Sequence, residues 1–403
     1  MTEVTVGNDR LAIEGGTPVR SSLLSYSGQW IVEEEIAAVA EALRSPWLTG
    51  GARVEEFERA LAAYVGAPQA VVVTSGTAAL HAAVYAAGVR PGDEVVTTPM
   101  TFVATANCVI FQGATPVFAD IDPVTLNLDP AAATAAISPR TRAILAVHYA
   151  GHPADLDALR SVALARGVSL IEDACHALGG RYRGRPVGAD SEFATFSFHP
   201  VKLITTGEGG AVVCRDGEAA ARMRAFRNHG IRSTGRQREA RGVWQYEMVD
   251  LGYNYRLSDF QCVLGLRQLE RAGPFLARRR EIARRYREAL ASCDVFDLPD
   301  EAAGCESAWH LFVVRLRLER LRADRDQIFA ALRAEGIGVN VLYMPVHLHP
   351  FYADRFGYRP GQFPIAEDAF RRLLALPLFP RMTDHDAEEV VAAVRKVANR
   401  YRR

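Results

Sequence analysis

From about residue 67 to residue 230, short runs rich in β-branched residues alternate with stretches that have the apolar spacing of helices. Strands that alternate with helices need crossover connections, and these give a mostly parallel sheet covered by helices on both faces. We therefore predict an α/β domain whose ligands bind beyond the carboxyl ends of the strands. The predicted strands lie in the runs QAVVVTS, DEVVTT, TPVFADI, RAILAVHY, SLIEDA, FATFSF and GAVVCR.

The segments on either side of this alternation are mainly helical. Residues 31–45 and 53–66 place apolar residues at i, i+3 and i+4, as amphipathic helices do. Residues 231–250 are polar and irregular, which predicts an exposed loop. A long helical pattern then runs from Ser258 to about Ala291.

A second, smaller domain is predicted at the end of the chain. Beyond Pro299 the runs HLFVVRL and GVNVLY alternate with helical patterns, which indicates an α+β domain. We place the domain boundary after residue 257. Residues 1–257 then form the large domain with its N-terminal segment, and residues 258–403 form a linking helix and the small C-terminal domain.

The composition and the cysteines argue against several classes of protein. The 47 basic and 47 acidic side chains cancel, so no overall field attracts nucleic acid or an anionic membrane, and we expect neither as a partner. The six cysteines form no closely spaced pairs of the kind found in zinc sites and redox motifs, so we expect reduced core residues and no metal. The sequence contains no secretion signal and no run long enough to span a bilayer, so we expect a cytoplasmic protein.

Only two of the 47 basic residues, Lys202 and Lys396, are lysines. Arginine stays protonated and cannot form an imine, whereas a lysine amine can, so each lysine in this background is a candidate for amine chemistry. Lys396 lies in the last helical pattern, where we expect a solvated helix face. Lys202 follows a predicted strand that ends at Phe198, lies near the hydroxyl of Ser197 and precedes a glycine-rich turn. A surface-loop lysine is the alternative, but it does not explain why this lysine is alone in the predicted large domain.

A carboxylate ends another predicted strand. Asp173 closes the run SLIED, and a carboxylate at the end of a buried strand is costly unless a cation or a strong donor meets it. A protonated pyridine nitrogen is such a partner, and this pairing makes pyridoxal phosphate an electron sink. A simple cap of the following turn is the equal alternative. His176, three residues later, is by itself more typical of a hydrogen-bonded core residue.

Three further segments could supply a phosphate cradle and a stacking ring. Ser75, Gly76 and Thr77 lead from a strand into a helix whose free N–H groups favour an anion, although Ser and Thr are also ordinary N-caps. Phe102 opens a helix after a strand and could stack on a planar ring or belong to the core. The polar segment around Asn254 could complete a phosphate pocket. Together with the lysine and the carboxylate, these parts meet the needs of one cofactor.

The motifs together resemble the DegT/DnrJ/EryC1/StrS family of pyridoxal-phosphate-dependent sugar aminotransferases. The resemblance runs from Gly15 to the end of the chain and rests on TSGTAAL, TPMTFVATAN, IEDACHALGG, SFHPVKLITTGEGGAV, RNHGI and GYNYRLSDFQCVLGL. It implies fold type I, the fold of aspartate aminotransferase, which has a large domain with a mostly parallel mixed sheet and a smaller C-terminal α+β domain.

The resemblance also implies a role for each candidate residue. Lys202 would form the internal aldimine and move protons, Asp173 would pair with the pyridine nitrogen, and Phe102 would stack on the ring. His176 occupies a place near the ring oxygen of the cofactor. The implied phosphate site combines Ser75, Gly76, Thr77 and Ser197 with Asn254 from the neighbouring subunit of a homodimer.

The implied reaction is a ping-pong transamination. L-glutamate, with glutamine as the alternative donor, would convert the cofactor to pyridoxamine phosphate, which then aminates a keto sugar. Several phrases are similar to the branch that aminates C4 of UDP-linked 4-keto-6-deoxy-N-acetylhexoses on the way to pseudaminic-type sugars, so we expect a nucleotide-linked 4-keto-6-deoxy sugar. LAIEGGTPVR is instead similar to members from antibiotic pathways, which act on dTDP-sugars or keto-cyclitols. The candidate substrate-side residues, each of which could also be a packing residue, are Trp30, His148, Tyr149, His229, Tyr343 and His347.

Three other functions are weighed against transamination. A pyridoxal-dependent sugar dehydratase of this family would lack the lysine, and Lys202 is present. A non-catalytic regulator would have lost the cofactor residues, which are all retained. A nucleotide-binding dehydrogenase would carry GxGxxG after its first strand, and this chain does not.

Overall fold

The computed structural model describes residues 10–403, and residues 1–9, where we predict no secretion signal, lie outside the described residues. The strands are β1 (Gln69–Val73), β2 (Glu94–Thr97), β3 (Thr115–Phe118), β4 (Thr141–Val147), β5 (Ser169–Asp173), β6 (Arg181–Tyr182), β7 (Arg185–Pro186), β8 (Phe193–Ser197), β9 (Gly210–Cys214), β10 (Phe296–Asp297), β11 (Cys305–Glu306), β12 (Phe312–Leu316) and β13 (Leu373–Leu376). The α-helices are α1 (Glu33–Leu43), α2 (Ala52–Val65), α3 (Gly76–Ala86), α4 (Ala104–Phe111), α5 (Pro130–Ala136), α6 (Leu156–Arg166), α7 (Gly217–Phe226), α8 (Gly235–Ala240), α9 (Asp259–Glu270), α10 (Ala272–Leu290), α11 (Arg325–Ala334), α12 (Pro350–Phe356), α13 (Pro364–Arg372) and α14 (Asp384–Tyr401). Short 3₁₀ helices lie at Ala12–Glu14, Tyr149–Gly151, Leu318–Arg320 and Val346–Leu348.

The large sheet has the strand order β1-β9-β8-β5-β4-β2-β3 within the described residues. Its strands from β8 to β3 pair in parallel, and β9 runs antiparallel to both β8 and β1. Alternate residues of β1 face opposite sides, so that Val71 and Val73 pack with α3 and α7 while Ala70 and Val72 pack with α2. The predicted mixed, mostly parallel sheet with helices on both faces is confirmed.

Three local predictions differ from the structure. The helical pattern from Ser258 is broken at Arg271, whose backbone leaves the helical region, so α9 and α10 are separate helices. The predicted loop 231–250 contains α8, because Thr234 and Gln237 form a reciprocal capping box at its start. The run GVNVLY forms no strand, and the third strand of the small sheet β10-β12-β13 is formed by LLAL, Leu373–Leu376.

The small sheet and helices α10, α11 and α14 share one core. Leu11 and Leu24 of the N-terminal segment pack into that core, whereas Cys262 and Leu269 of α9 pack with β1 of the large sheet. Packing therefore crosses residue 257 in both directions, and the boundary placed there stays a prediction. The six cysteines are all free, and four of them are buried. None of the helices within residues 10–403 has the length and apolar character needed to cross a membrane.

The prediction for Lys396 is wrong, because this side chain is buried rather than solvated. Its ammonium lies 2.9 Å from Glu335 Oε2 and donates to the carbonyl of Thr17 at 2.8 Å. The Glu335 carboxylate also accepts hydrogen bonds from the backbone N–H groups of Ala12 and Val19. This buried ion pair fastens the N-terminal segment to α14.

We expect Lys396→Met to destabilise the protein by about 3–5 kcal/mol, because it leaves Glu335 as a buried charge without its cation. Denaturant unfolding of the variant and of Arg395→Met, which removes the neighbouring exposed cation, measures the difference. Equal unfolding midpoints for the two variants would show that the ion pair contributes nothing.

Candidate active site

The candidate site lies at the carboxyl edge of the large sheet. Asp173 is the last residue of β5, Ser197 is the last residue of β8, and Gly76 begins α3 just after β1. Ser197 and Val73 both pair with Gly210 of β9, so the ends of β8 and β1 flank the same residue. The parallel strands thus bring three separate motifs to one edge.

Asp173 is buried and held by two donors. Its Oδ2 accepts a hydrogen bond from Thr105 Oγ1 at 2.7 Å, and its Oδ1 accepts one from the backbone N–H of Cys175 at 3.1 Å. Thr105 in turn shares a 2.7 Å hydrogen bond with Thr101. These contacts fix the carboxylate, and neither Asp173 nor Lys202 belongs to any ion pair between described residues.

Lys202 is half-buried in the loop that follows β8. It lines a narrow cavity together with Cys175, His176, Ser197, Arg279 and His310. Burial lowers the pKa of the Lys202 amine, the charges of Cys175 and Asp173 oppose this shift, and the charge of Arg279 adds to it. A lowered pKa increases the neutral fraction of the amine, which is the form that acts as nucleophile and base.

The start of α3 forms a tight cradle against the end of β8. A Cβ at Gly76 would lie 2.9 Å from the Cβ of Ser197 and 3.2 Å from the sulfur of Cys175, so only glycine permits this approach. The Ser75 hydroxyl caps the helix by accepting from the N–H of Ala78. First-turn N–H groups such as that of Thr77 have no partner inside the helix and favour an anion.

Aromatic rings form one wall of the site. Phe102 is 55% exposed, so it is not a core residue, and its ring lies 5.9 Å from that of Tyr343. The Tyr343 hydroxyl is 3.1 Å from His176 Nε2, and the His176 ring packs 4.3 Å from the ring of His310. His176 Nδ1 is buried and has no hydrogen-bond partner among residues 10–403. Burial lowers the pKa of His176 well below its ordinary value, so the ring is neutral near pH 7.

Two of the remaining substrate candidates, Trp30 and His229, lie in different places. Trp30 lines a second narrow cavity with Lys202, and its ring stacks on Phe275 at 5.8 Å. His229 is exposed and borders a separate groove that also contains Arg256. The structure therefore brings Trp30 and Tyr343 to the candidate site of their own chain, but not His229.

The expectation that His148 contacts substrate needs correction. Its ring is fully buried, its Nε2 lies 3.1 Å from Glu172 Oε2, and its Nδ1 accepts from the N–H of Ala154. Burial alone would raise the pKa of Glu172, but hydrogen bonds from His148 and Ser191 and the charge of Arg160 lower it. His148 is thus part of a buried polar network that joins β4 to β5.

Tyr149 and His347 are corrected for the same reason. The Tyr149 side chain is buried and donates its hydroxyl to the carbonyl of Leu342. His347 is fully buried, its Nε2 lies 3.0 Å from Glu367 Oε1, and its ring packs edge-on against Phe363. Tyr149 thus holds the residue before Tyr343, whereas His347 connects its own segment to α13.

The structure adds Thr105, Arg279 and His310, which the sequence analysis missed. The sequence does contain a signal for Thr105, because Thr101 lies four residues before it, the spacing of neighbours on a helix. In the structure the two hydroxyls form a hydrogen bond. Arg279 and His310 come from α10 and from the residues before β12, and no pattern in the sequence links either of them to Lys202.

The sequence pattern of the DegT/DnrJ/EryC1/StrS aminotransferase family matches residues 29–395. The chain belongs to the DegT/DnrJ/EryC1/StrS aminotransferase family. This match confirms the predicted family, fold type I and the predicted activity of a pyridoxal-phosphate-dependent sugar aminotransferase. Pyridoxal phosphate is confirmed as the cofactor, because similar structures are known in pyridoxal and pyridoxamine phosphate forms.

Several relatives match this family member over most of their length. The spore coat polysaccharide biosynthesis protein SpsC of Bacillus subtilis is 42% identical over 380 residues, which cover 94% of this chain and 98% of SpsC. The crystal structure of DesV from S. venezuelae is 39% identical with a TM-score of 0.84, covering 91% of this chain and 94% of DesV. Helicobacter pylori PseC, an aminotransferase involved in the biosynthesis of pseudoaminic acid, is 31% identical with a TM-score of 0.88, covering 94% of this chain and all of PseC (100%).

The side chains of this family member fit the cofactor. The unpartnered His176 Nδ1 can meet a polar group of the ring, and the cradle at Gly76 and Ser197 suits a phosphate. Asp173 and Lys202 are both free of ion pairs among the described residues and can therefore serve the ring nitrogen and the aldehyde carbon. The individual roles of these residues stay predictions.

Proposed function

We propose that the protein transfers the amino group of L-glutamate to a nucleotide-linked 4-keto-6-deoxy sugar. The observation that carries this proposal is the convergence of Lys202, buried Asp173 and the Gly76–Ser197 cradle at one sheet edge. The similarity to PseC and SpsC supports a sugar that is built into a larger glycan or acid sugar. A dTDP-linked keto sugar or a keto-cyclitol is the alternative acceptor.

When bound, pyridoxal phosphate supplies a sink for the electron pair left when the donor loses its α-proton. Asp173, held by Thr105, offers the negative charge that keeps the ring nitrogen protonated. The neutral amine of Lys202 accepts the α-proton of glutamate and delivers it to the cofactor side. Water then supplies the keto oxygen, so 2-oxoglutarate leaves while the amino group stays with the cofactor. In the second half-reaction the same amine removes a proton on the cofactor side and delivers one to the former keto carbon of the sugar.

The acceptor is proposed to enter between the aromatic wall and the N-terminal segment. Phe102 lies beside Tyr343, whose hydroxyl meets His176, and Trp30 lines a small cavity together with Lys202. Aromatic faces suit the apolar face of a hexose ring, while the nucleotide extends toward solvent. This arrangement supports Trp30 and Tyr343 as the substrate-side residues.

We expect L-glutamate to convert the purified protein from its pyridoxal to its pyridoxamine phosphate form, because the residues above remove and return the α-proton. Absorbance spectra before and after glutamate or glutamine measure this half-reaction. A panel of UDP- and dTDP-linked 4-keto-6-deoxy sugars and a keto-cyclitol then tests which compound restores the pyridoxal form. Restoration by the cyclitol alone, or no response to glutamate, would contradict the proposal.

A homodimer with shared sites is also proposed. Asn254 is exposed, because its neighbours Tyr253 and Tyr255 stack 5.1 Å apart and pack into the core beside Phe226. The backbone carbonyl of Tyr255 also accepts a hydrogen bond from the N–H of Thr74, and this contact fixes the loop. An outward Asn254 is suited to reach the phosphate cradle of a second copy.

Mixing two inactive variants tests this arrangement. In a mixed dimer of Lys202→Arg and Asn254→Ala, one site combines the intact lysine of one subunit with the intact asparagine of the other. We therefore expect mixed subunits to regain activity that neither variant has alone, measured as turnover after co-refolding. If Asn254 serves its own chain, no mixed dimer contains an intact site and activity does not return.

A further inference from the structure

Arg279 is a buried cation that has no acidic partner among the described residues. It lies on α10, its side chain is fully buried, and no ion pair between described residues includes it. Its Nε is buried and finds no hydrogen-bond partner in the described part of the chain. A buried charge costs several kcal/mol unless it is compensated, so an arginine at this position needs a physical reason.

The guanidinium binds backbone carbonyls of three separate segments. Nη1 donates to Leu378 at 2.8 Å, to His310 at 3.1 Å and to Trp309 at 3.3 Å, and Nη2 donates to Val201 at 3.5 Å. Val201 precedes the cofactor lysine directly. Arg279 therefore connects the loop of Lys202 to the start of β12 and to the residues after β13.

Arg279 and Lys202 also line the same narrow cavity. The other titratable groups around this cavity are Cys175, His176 and His310, and Asp173 is the nearby acid. Burial lowers the pKa of both histidines well below their ordinary values, so neither ring adds a positive charge near pH 7. Burial lowers the pKa of Arg279 to about 10, so among the residues that line the cavity the guanidinium still carries a positive charge near pH 7.

We propose that Arg279 is a positioning residue for Lys202, which holds the lysine loop against the small domain and keeps a fixed positive charge behind the amine. Two like charges in a buried space disfavour protonation of the one that can lose its proton. The amine therefore returns to its neutral, reactive form after each proton transfer. The inference rests on the assignment of Lys202 as the cofactor lysine.

The scarcity of lysine makes a direct test possible. Protein labelled with carbon-13 at lysine Cε gives signals from only Lys202 and Lys396, and Lys396→Arg assigns them. In the pyridoxamine phosphate form the Lys202 amine is free, and its signal can be titrated with pH. We expect Arg279→Met and Arg279→Gln, which are both neutral, to raise the measured pKa of Lys202 above that of the wild type.

The control variant is Arg279→Lys, which keeps the charge but loses the planar fork. The signal of the new lysine at position 279 is assigned by comparison with the wild-type spectrum. The pKa of Lys202 should stay close to that of the wild type even if the melting temperature falls. If the neutral variants fold and their Lys202 pKa equals that of the wild type, the proposal is overturned. If the neutral variants do not fold, Arg279→Lys decides, and a raised Lys202 pKa in that variant overturns the proposal. Failure of the cofactor assignment gives a different result, because pyridoxal phosphate would then leave the wild-type Lys202 signal unmoved.

Discussion

Lys202→Arg should lower kcat for transamination by about 10²–10⁴-fold or more, the range expected when a positioned acid–base group is lost. Arginine retains the charge and most of the length of the side chain, but it stays protonated and cannot form an imine. The variant therefore loses both the attachment of the cofactor and the base that takes the α-proton. Single-turnover conversion of the pyridoxamine form by the keto sugar measures the proton-transfer defect without the need for attachment.

The matched control for this variant is Lys396→Arg. It removes the other lysine of the chain, which lies far along the sequence in the buried pair with Glu335. We expect its turnover per folded molecule to equal that of the wild type. A Lys202→Arg protein with full single-turnover activity would mean that another group moves the proton.

Asp173→Asn should lower kcat by about 10²–10³-fold, the cost of removing one electrostatic partner of a charge in a preorganised site. The amide has nearly the same shape, and it can still accept a hydrogen bond from Thr105. What it lacks is the negative charge that favours a protonated ring nitrogen. The glutamate half-reaction, followed by absorbance, isolates this effect from binding of the sugar.

Two comparisons separate the charge of Asp173 from a merely structural role. Thr105→Val removes one donor to the carboxylate and should cost about 1 kcal/mol, which is far less than Asp173→Asn. A cofactor analogue methylated on its ring nitrogen carries a permanent positive charge and should restore part of the activity of Asp173→Asn. Equal losses in the two variants, or no rescue by the analogue, would contradict the assigned role.

The sequence was sufficient to predict those site residues that lie at the ends of strands. Asp173 ends a predicted strand, Ser197 is the next-to-last residue of another, and Gly76 follows a third, so the parallel topology places them at one edge. Phe102 could not be separated from a core residue by its pattern, because a helix start after a strand is compatible with both, and only its exposure decides.

The errors concern partners that are distant in sequence. His148 follows a strand just as Asp173 ends one, but its ring turns to Glu172 of the neighbouring strand, which periodicity does not reveal. Lys396 has the setting of a solvated helix residue, yet Glu335 and the N-terminal segment cover it. Arg279 is one arginine in a run of charged residues on α10, and its burial depends on three segments that meet only in the folded chain.

Borohydride reduction of the pyridoxal phosphate form, followed by peptide mapping, tests the central claim most directly. Reduction fixes the cofactor to whichever amine holds it, and this chain offers only two lysines and its N-terminus. We expect the cofactor mass on the peptide that contains Lys202 and on no other. Its recovery on Lys396, on the N-terminus or on no peptide would contradict the account.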